Sequence, residues 1–298
     1  MSGGANEDAV TAERPVVVGT DGSPPAGGAV AWAADEAADL GRPLHVVYAA
    51  DPIAYGVPFV PPSKDGSSLL TSGEGVVSAA RRLALERRPR VRVTTEVADA
   101  APVDAFRELS RTAALTVLGS RGLGGFTGML LGSVGRRVAG QADGPVVVVR
   151  GDGTRREFGE IAVGVDLSDA SEAALEHAFA TARRRGAKVR VVHAFQLEPA
   201  LVQARYLEDE RETERTVTDR VRAEYARLRD VHPDVQVIEA LVRDHPVRAL
   251  TAASEQADLV VVAARGRGAL AGALLGSVSH GVLHHAHCPV AVVRPDEP

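Results

Sequence analysis

The chain repeats itself. Residues 119–150 and 263–294 align without a gap, at an offset of 144, and are identical at half of their positions. The shared centre is Leu130-Leu131-Gly132-Ser133-Val134 against Leu274-Leu275-Gly276-Ser277-Val278. Each copy closes on a Pro-led apolar run, Pro145–Val149 and Pro289–Val293. The copies also open alike: Val16-Val17-Val18-Gly19-Thr20-Asp21 answers Ile161-Ala162-Val163-Gly164-Val165-Asp166, here at an offset of 145. A period this long means two duplicated domains, because solenoid repeats run to roughly 20–50 residues. With 298 residues in all, each copy has enough chain to bury its own core. The expected division is a disordered tail over 1–14, a first domain over 15–150, a linker over 151–160 and a second domain over 161–294.

Within each copy, short β-branched runs alternate with helical patterns. Copy one reads as strands at 15–20, 43–49, 90–97, 115–119 and 145–150, and as helices at 25–40, 73–88, 102–113 and 133–142. Copy two has strands near 161–165, 188–194, 235–242, 259–263 and 289–294, with a long Glu- and Arg-rich helix over roughly 200–230. Runs such as Val146–Val149 carry no polar alternation, which marks strands buried on both faces of a parallel sheet. The fold class is therefore α/β: two tandem doubly wound domains with right-handed crossovers. Residues 51–75, rich in Pro, Gly and Ser, read as a long loop, more simply disordered than ordered beside a ligand.

Bulk properties narrow the function. The formal net charge is −5, whereas a nucleic-acid binder usually presents a basic face. No run approaches the roughly 18 apolar residues of a membrane span. Cys288 is the single cysteine, so no disulfide forms within the chain, and a reducing cytoplasm is the expected location. Neither nucleic acid nor membrane is an expected partner.

The chemistry gathers after the fourth strand. Copy one reads Gly119-Ser120-Arg121-Gly122, then nine residues, then Gly132-Ser133. Gly119 and Gly122 permit positive φ or a close ligand approach at a strand end. Gly124, Gly125 and Gly128 extend a loop, entered through Leu123, whose backbone N–H groups can wrap an anion. Ser133 falls where a helix starts, so its hydroxyl can cap that helix beside the positive end of the dipole. Phosphate suits such a loop, and Arg121 adds a charge. The alternative is a flexible, exposed glycine loop; the recurrence of the pattern between a buried strand and a helix in both copies argues against it. Asp21 ends the first strand, where open parallel sheets bind ligands. A carboxylate repels phosphate, so Asp21 is expected to accept from ribose hydroxyls or to help hold a divalent cation. Its simpler role would be to cap the helix starting near Pro24.

The pattern Gly-x2-Gly-x9-Gly-Ser, the Val-Gly-x-Asp opening and the Cys-Pro-Val-x-Val-Val run at 288–293 resemble the ATP-binding branch of the universal stress protein family. The resemblance implies a five-stranded parallel sheet of order 3-2-1-4-5 in each half. It implies adenine held by backbone groups around Ala49 and Ala194, beside Gly19 with Asp21 and Gly164 with Asp166. Ribose and phosphates would be cradled by Gly119, Ser120, Arg121, Gly122, Gly132, Ser133 and Val134. In copy two the cradle becomes Ala263, Ala264, Arg265, Gly266, Gly276, Ser277 and Val278, extended by Arg267, Gly268 and Ser279. The implied cofactor is ATP, with or without Mg2+. Because Ala263 replaces the first glycine, copy one is expected to bind more tightly, should that position need a left-handed backbone.

Three other functions compete with this one. A P-loop enzyme needs Lys directly after its second glycine, but Gly132 is followed by Ser133 and Val134; binding rather than catalysis is expected, with slow hydrolysis of bound ATP as the alternative. His280 and His284, four apart on a helix, could bridge one metal. Copy one lacks these histidines, which also suit a helix C-terminus electrostatically, so no metal site is expected. A nucleotide-independent interaction module of the same fold is the third. The apolar edge strands Val146–Val149 and Val290–Val293 are expected to pair antiparallel as an internal pseudo-dimer, which leaves room for a homodimer of whole chains.

Overall fold

The computed structural model describes residues 14–49, 67–122, 131–151, 153, 158–195, 207–266 and 275–295, without the side chains of 67–72 and 207–214. The first half runs β1 (Val16–Gly19), α1 (Pro24–Leu40), β2 (Leu44–Ala49), α2 (Ser67–Arg87), β3 (Val93–Ala98), α3 (Pro102–Ser110), β4 (Leu115–Gly119), α4 (Ser133–Gln141) and β5 (Val146–Val149). The second runs β6 (Glu160–Gly164), α5 (Asp169–Arg185), β7 (Lys188–Ala194), α6 (Leu207–Val231), β8 (Val237–Val242), α7 (Pro246–Ala253), β9 (Leu259–Ala263), α8 (Ser277–His285) and β10 (Val290–Val293).

Among the described residues, ten strands form one sheet, ordered β3-β2-β1-β4-β5-β10-β9-β6-β7-β8. Each half thus has the order 3-2-1-4-5, and β5 pairs antiparallel with β10 at the centre. Val147 stands opposite Ala291, its own counterpart in the repeat. That register is what a two-fold relation between the halves requires. Pairing removes both apolar edges, each of which would otherwise present a row of unmatched backbone groups.

The strands bury both faces because alternate valines enter different layers. Val16, Val18, Val147 and Val149 pack with α1, α2 and their second-half partners, whereas Val17, Val146 and Val148 pack toward α3 and α4. Both layers run through the seam without a break.

The seam carries charge as well. On the α1/α5 face, Glu36 is 3% exposed and accepts from Arg184 and Arg185. Arg185 also lies over the Trp32 ring, 5.5 Å from its centroid. On the other face, Arg150 Nη1 donates to Leu283 O at 2.7 Å and His284 O at 2.9 Å, satisfying carbonyls at the end of α8.

One expected loop is partly helix. Helix α2 starts at Ser67, so 67–75 is helical; residues 51–66 lie outside the described residues. Ser and Gly are weak helix formers, but the apolar stripe through Val76, Val77, Ala80, Leu83 and Ala84 packs on the core, and packing overrides propensity. Gly73 fits for a steric reason: a Cβ there would stand 2.9 Å from the Tyr48 ring. Among the described residues no helix is long and apolar enough to cross a membrane.

Candidate functional site

The carboxyl ends of the central strands bring the sequence-marked residues together. In the first half, Thr20 N donates to Val47 O at 2.9 Å and carries the chain to Asp21. Across the crevice, Ser120 N donates to Val149 O at 2.8 Å and Ser120 O accepts from Gly132 N at 2.7 Å. That bond ties the start of α4 to the end of β4. Asp21 and Gly122 face each other closely: a Cβ on Gly122 would stand 2.5 Å from Asp21 Oδ2. The second half repeats this, with Asp166 Oδ2 only 2.1 Å from a Cβ placed on Gly266, and Gly276 N on Ala264 O at 2.8 Å.

Between those groups the second half has a cleft of about 160 Å³. One wall is apolar, from Val192, Ala194, Leu250 and Val262. The other is polar, from Asp166, Ser171, Arg265, Gly266 and the helix start at Gly276, Ser277, Val278 and Ser279; Gly164 and Ala263 lie at the strand ends. Leu250 and Pro246 come from the first turns of α7, and the sequence reading, which looked only at strand ends and the loop, missed both. It also missed Ser171, which no repeat signal marks because Ala26 holds that place in copy one.

Several expected roles change. Gly132 and Gly276 are the N-caps of α4 and α8, both extended and without a side-chain cap bond, so Ser133 and Ser277 are first helical residues rather than caps. A bare glycine cap leaves first-turn N–H groups without a side-chain acceptor, which favours an anion there. Ser23, not Asp21, caps α1, its Oγ accepting from Ala26 N at 3.4 Å. Ser120 is 4% exposed and Ala264 2%, so both side chains are turned into the core, and Ala264 does not line the cleft. Ser279 is also buried; its hydroxyl bonds Ala264 O and Gly276 O at 3.0 Å and braces the loop.

The glycines act through packing rather than left-handed backbone. Neither Gly119 nor Gly122 has positive φ. A Cβ on Gly119 would meet Pro25 O at 3.0 Å, so this glycine lets α1 close on β4. Ala263 has no positive φ either, so it brings no backbone strain to the second site. Gly19 and Gly164 make room for Phe106 and Leu250 over the strand ends. The strained residue is instead Leu167, with φ of 59°, in the turn directly after Asp166. Bulky side chains rarely adopt this conformation, and such strain gathers at functional sites.

Arg121 is exposed; burial of the Arg150 guanidinium, and then the charge of Arg121, hold Arg150 below its ordinary pKa. Val134 packs partly buried at the start of α4, and Ala49 ends β2 opposite Ala98. Leu123, Gly124, Gly125, Arg267 and Gly268 lie outside the described residues. His280 and His284 have ring centroids 4.6 Å apart, and burial, followed by the nearby His280, His285, Arg150 and Arg136, lowers the His284 pKa. Among the described residues, no group of three or more His, Cys, Asp or Glu could hold a metal ion.

The model of the universal stress protein family matches residues 13–150 and again 157–294. This chain belongs to that family. The universal stress protein Rv2005c of Mycobacterium tuberculosis is 36% identical over 289 residues, covering 94% of this chain and 96% of the relative. Rv1996 of the same organism is 34% identical over 310 residues, covering 95% and 96%. In fold, the chain is similar to the crystal structure of a universal stress protein from Archaeoglobus fulgidus, with a TM-score of 0.68 over 95% of this chain and 97% of that one, at 20% identity.

Proposed function

We propose that this universal stress protein binds adenine nucleotide, ATP above all, in the crevice of each half and acts in the cytoplasm as a nucleotide-dependent stress-signalling module, not as an enzyme. The observation that carries the reading is the placement of Asp166 Oδ2 against Gly266 beside the uncapped start of α8. The apolar wall suits a base, the carboxylate suits ribose hydroxyls, and the helix start suits phosphates. If Mg2+ accompanies the nucleotide, Asp21 and Asp166 are the carboxylates in place; phosphate oxygens and water would supply the remaining ligands.

Two measurements test this. Denaturing the purified protein should release adenine nucleotide. A Gly266→Val variant should lose at least about tenfold in ATP affinity at the second site, because the new side chain displaces the Asp166 carboxylate that a ribose would bond. The fold should survive, since the obstructed group is the end of a side chain. Unchanged ATP affinity in that variant, or no ATP binding by nucleotide-free protein, would overturn the reading.

A further inference from the structure

The two repeat-related carboxylates are held differently. Asp166 Oδ1 accepts from Ser168 N at 3.2 Å, Ser168 Oγ at 2.5 Å and Ser171 Oγ at 2.9 Å. Ser171 Oγ accepts in turn from Asp166 N at 3.1 Å. Ser171 is 1% exposed, so its hydroxyl is committed to both ends of the aspartate. In the first half the matching residue is Ala26, which has no hydroxyl. Ser23, the counterpart of Ser168, turns its Oγ to the Ala26 N–H as a helix cap, while its N donates to Asp21 Oδ1 at 3.0 Å.

We infer that Ser171 is a positioning residue that fixes the Asp166 carboxylate for its ligand and makes the second half the tighter of the two nucleotide sites. The inference rests on the nucleotide reading above, and it reverses the ranking that the sequence suggests from Ala263. Hydroxyl donors on Oδ1 keep the carboxylate in one rotamer with Oδ2 turned to Gly266. A ligand that meets a group already in place loses less freedom on binding than one that must order it. Hydrogen bonds to a charged acceptor are also among the strong ones, so the brace holds. The turn at Leu167 works in the same direction, since a sterically restricted backbone next to Asp166 narrows where the carboxylate can go.

Calorimetric titration of ATP into nucleotide-free, full-length protein tests the inference. Wild type should show two unequal sites. Ser171→Ala should weaken the tighter one about tenfold, the scale of one hydrogen bond to a charged group, with the other site unchanged. Ser171→Thr, which keeps the hydroxyl, should stay within about threefold of wild type. Ala26→Ser, which adds the missing hydroxyl to the first half, should tighten the weaker site. A Ser171→Ala protein that keeps the tighter affinity overturns the brace while leaving the nucleotide reading intact. So does an Ala26→Ser protein with an unaltered weaker site. Failure of the wild type to bind ATP at all overturns the nucleotide reading itself, and the brace with it.

Discussion

Glu36→Ala should lower the unfolding free energy of the full chain by about 3–5 kcal/mol, the cost of stripping one partner from a buried ion pair. The carboxylate is 4% exposed, and the side chains of Arg184 and Arg185 are 21% and 10% exposed, so solvent cannot replace it freely. Arg185 Nε and Nη1 and Arg184 Nε already lack hydrogen-bond partners, and losing Glu36 would strip two adjacent, largely buried guanidinium groups of the carboxylate they share. Replacing all three by apolar residues, as in Glu36→Leu with Arg184→Leu and Arg185→Met, should recover most of the loss, because well-packed apolar groups avoid the desolvation of the ions. Urea unfolding of the three proteins measures both effects. A loss below about 1 kcal/mol in Glu36→Ala, the range of an exposed pair, would mean that water reaches the seam.

This contact also decides which halves pair. The seam is two-fold in its strands, but the ion pair is not. The repeat counterpart of Glu36 is Thr181, and the counterparts of Arg184 and Arg185 are Asp39 and Leu40. Two first halves would bring Glu36 against Asp39 and Leu40, and two second halves would bring four arginines against two threonines. Only one of each half gives a matched carboxylate and guanidinium pair, so the seam selects against self-pairing as well as for its own partner.

The duplication and the central pairing are legible because they depend on long-range repetition and on buried valine runs, which leave strong marks in a sequence, whereas the strand order within each half follows only from the family resemblance. The seam chemistry is not legible, since Glu36 and Arg184 are 148 residues apart and break the repeat at the place where they meet. The site was legible in part. Asp166, Gly266 and Gly276 were marked by spacing and do converge. The Ser133 hydroxyl reads as a cap because a serine beside a glycine at a helix start suits that role, while the backbone places the cap one residue earlier. Gly119 was misread for a related reason. A sequence shows that a side chain is missing at a strand end, but not whether the vacated space admits a ligand or, as here, the Pro25 backbone.

Acid should weaken the same seam through His177, the repeat counterpart of Trp32. Desolvation pushes the His177 pKa down to about 4, with Arg184 and Arg185 acting in the same sense and Glu36 opposing them. In the unfolded chain the imidazole titrates near its ordinary value of about 6.5. Above that pH both states carry a neutral ring and His177 contributes no pH dependence. As the pH falls from about 6.5 toward 4, the unfolded chain takes up a proton that the folded chain refuses, and stability drops. The residue is only partly buried, so the total is roughly 2–3 kcal/mol, somewhat below the full shift at 1.36 kcal/mol per pH unit. The comparison that isolates it is urea unfolding of wild type and His177→Leu at several pH values between 7.5 and 4.5. Carboxylates elsewhere titrate alike in both proteins, so the difference between the two curves belongs to position 177. Wild type should lose stability more steeply than the variant across this window. Parallel curves would mean that the folded protein protonates His177 as readily as the unfolded chain does, and that the α1/α5 seam is wet.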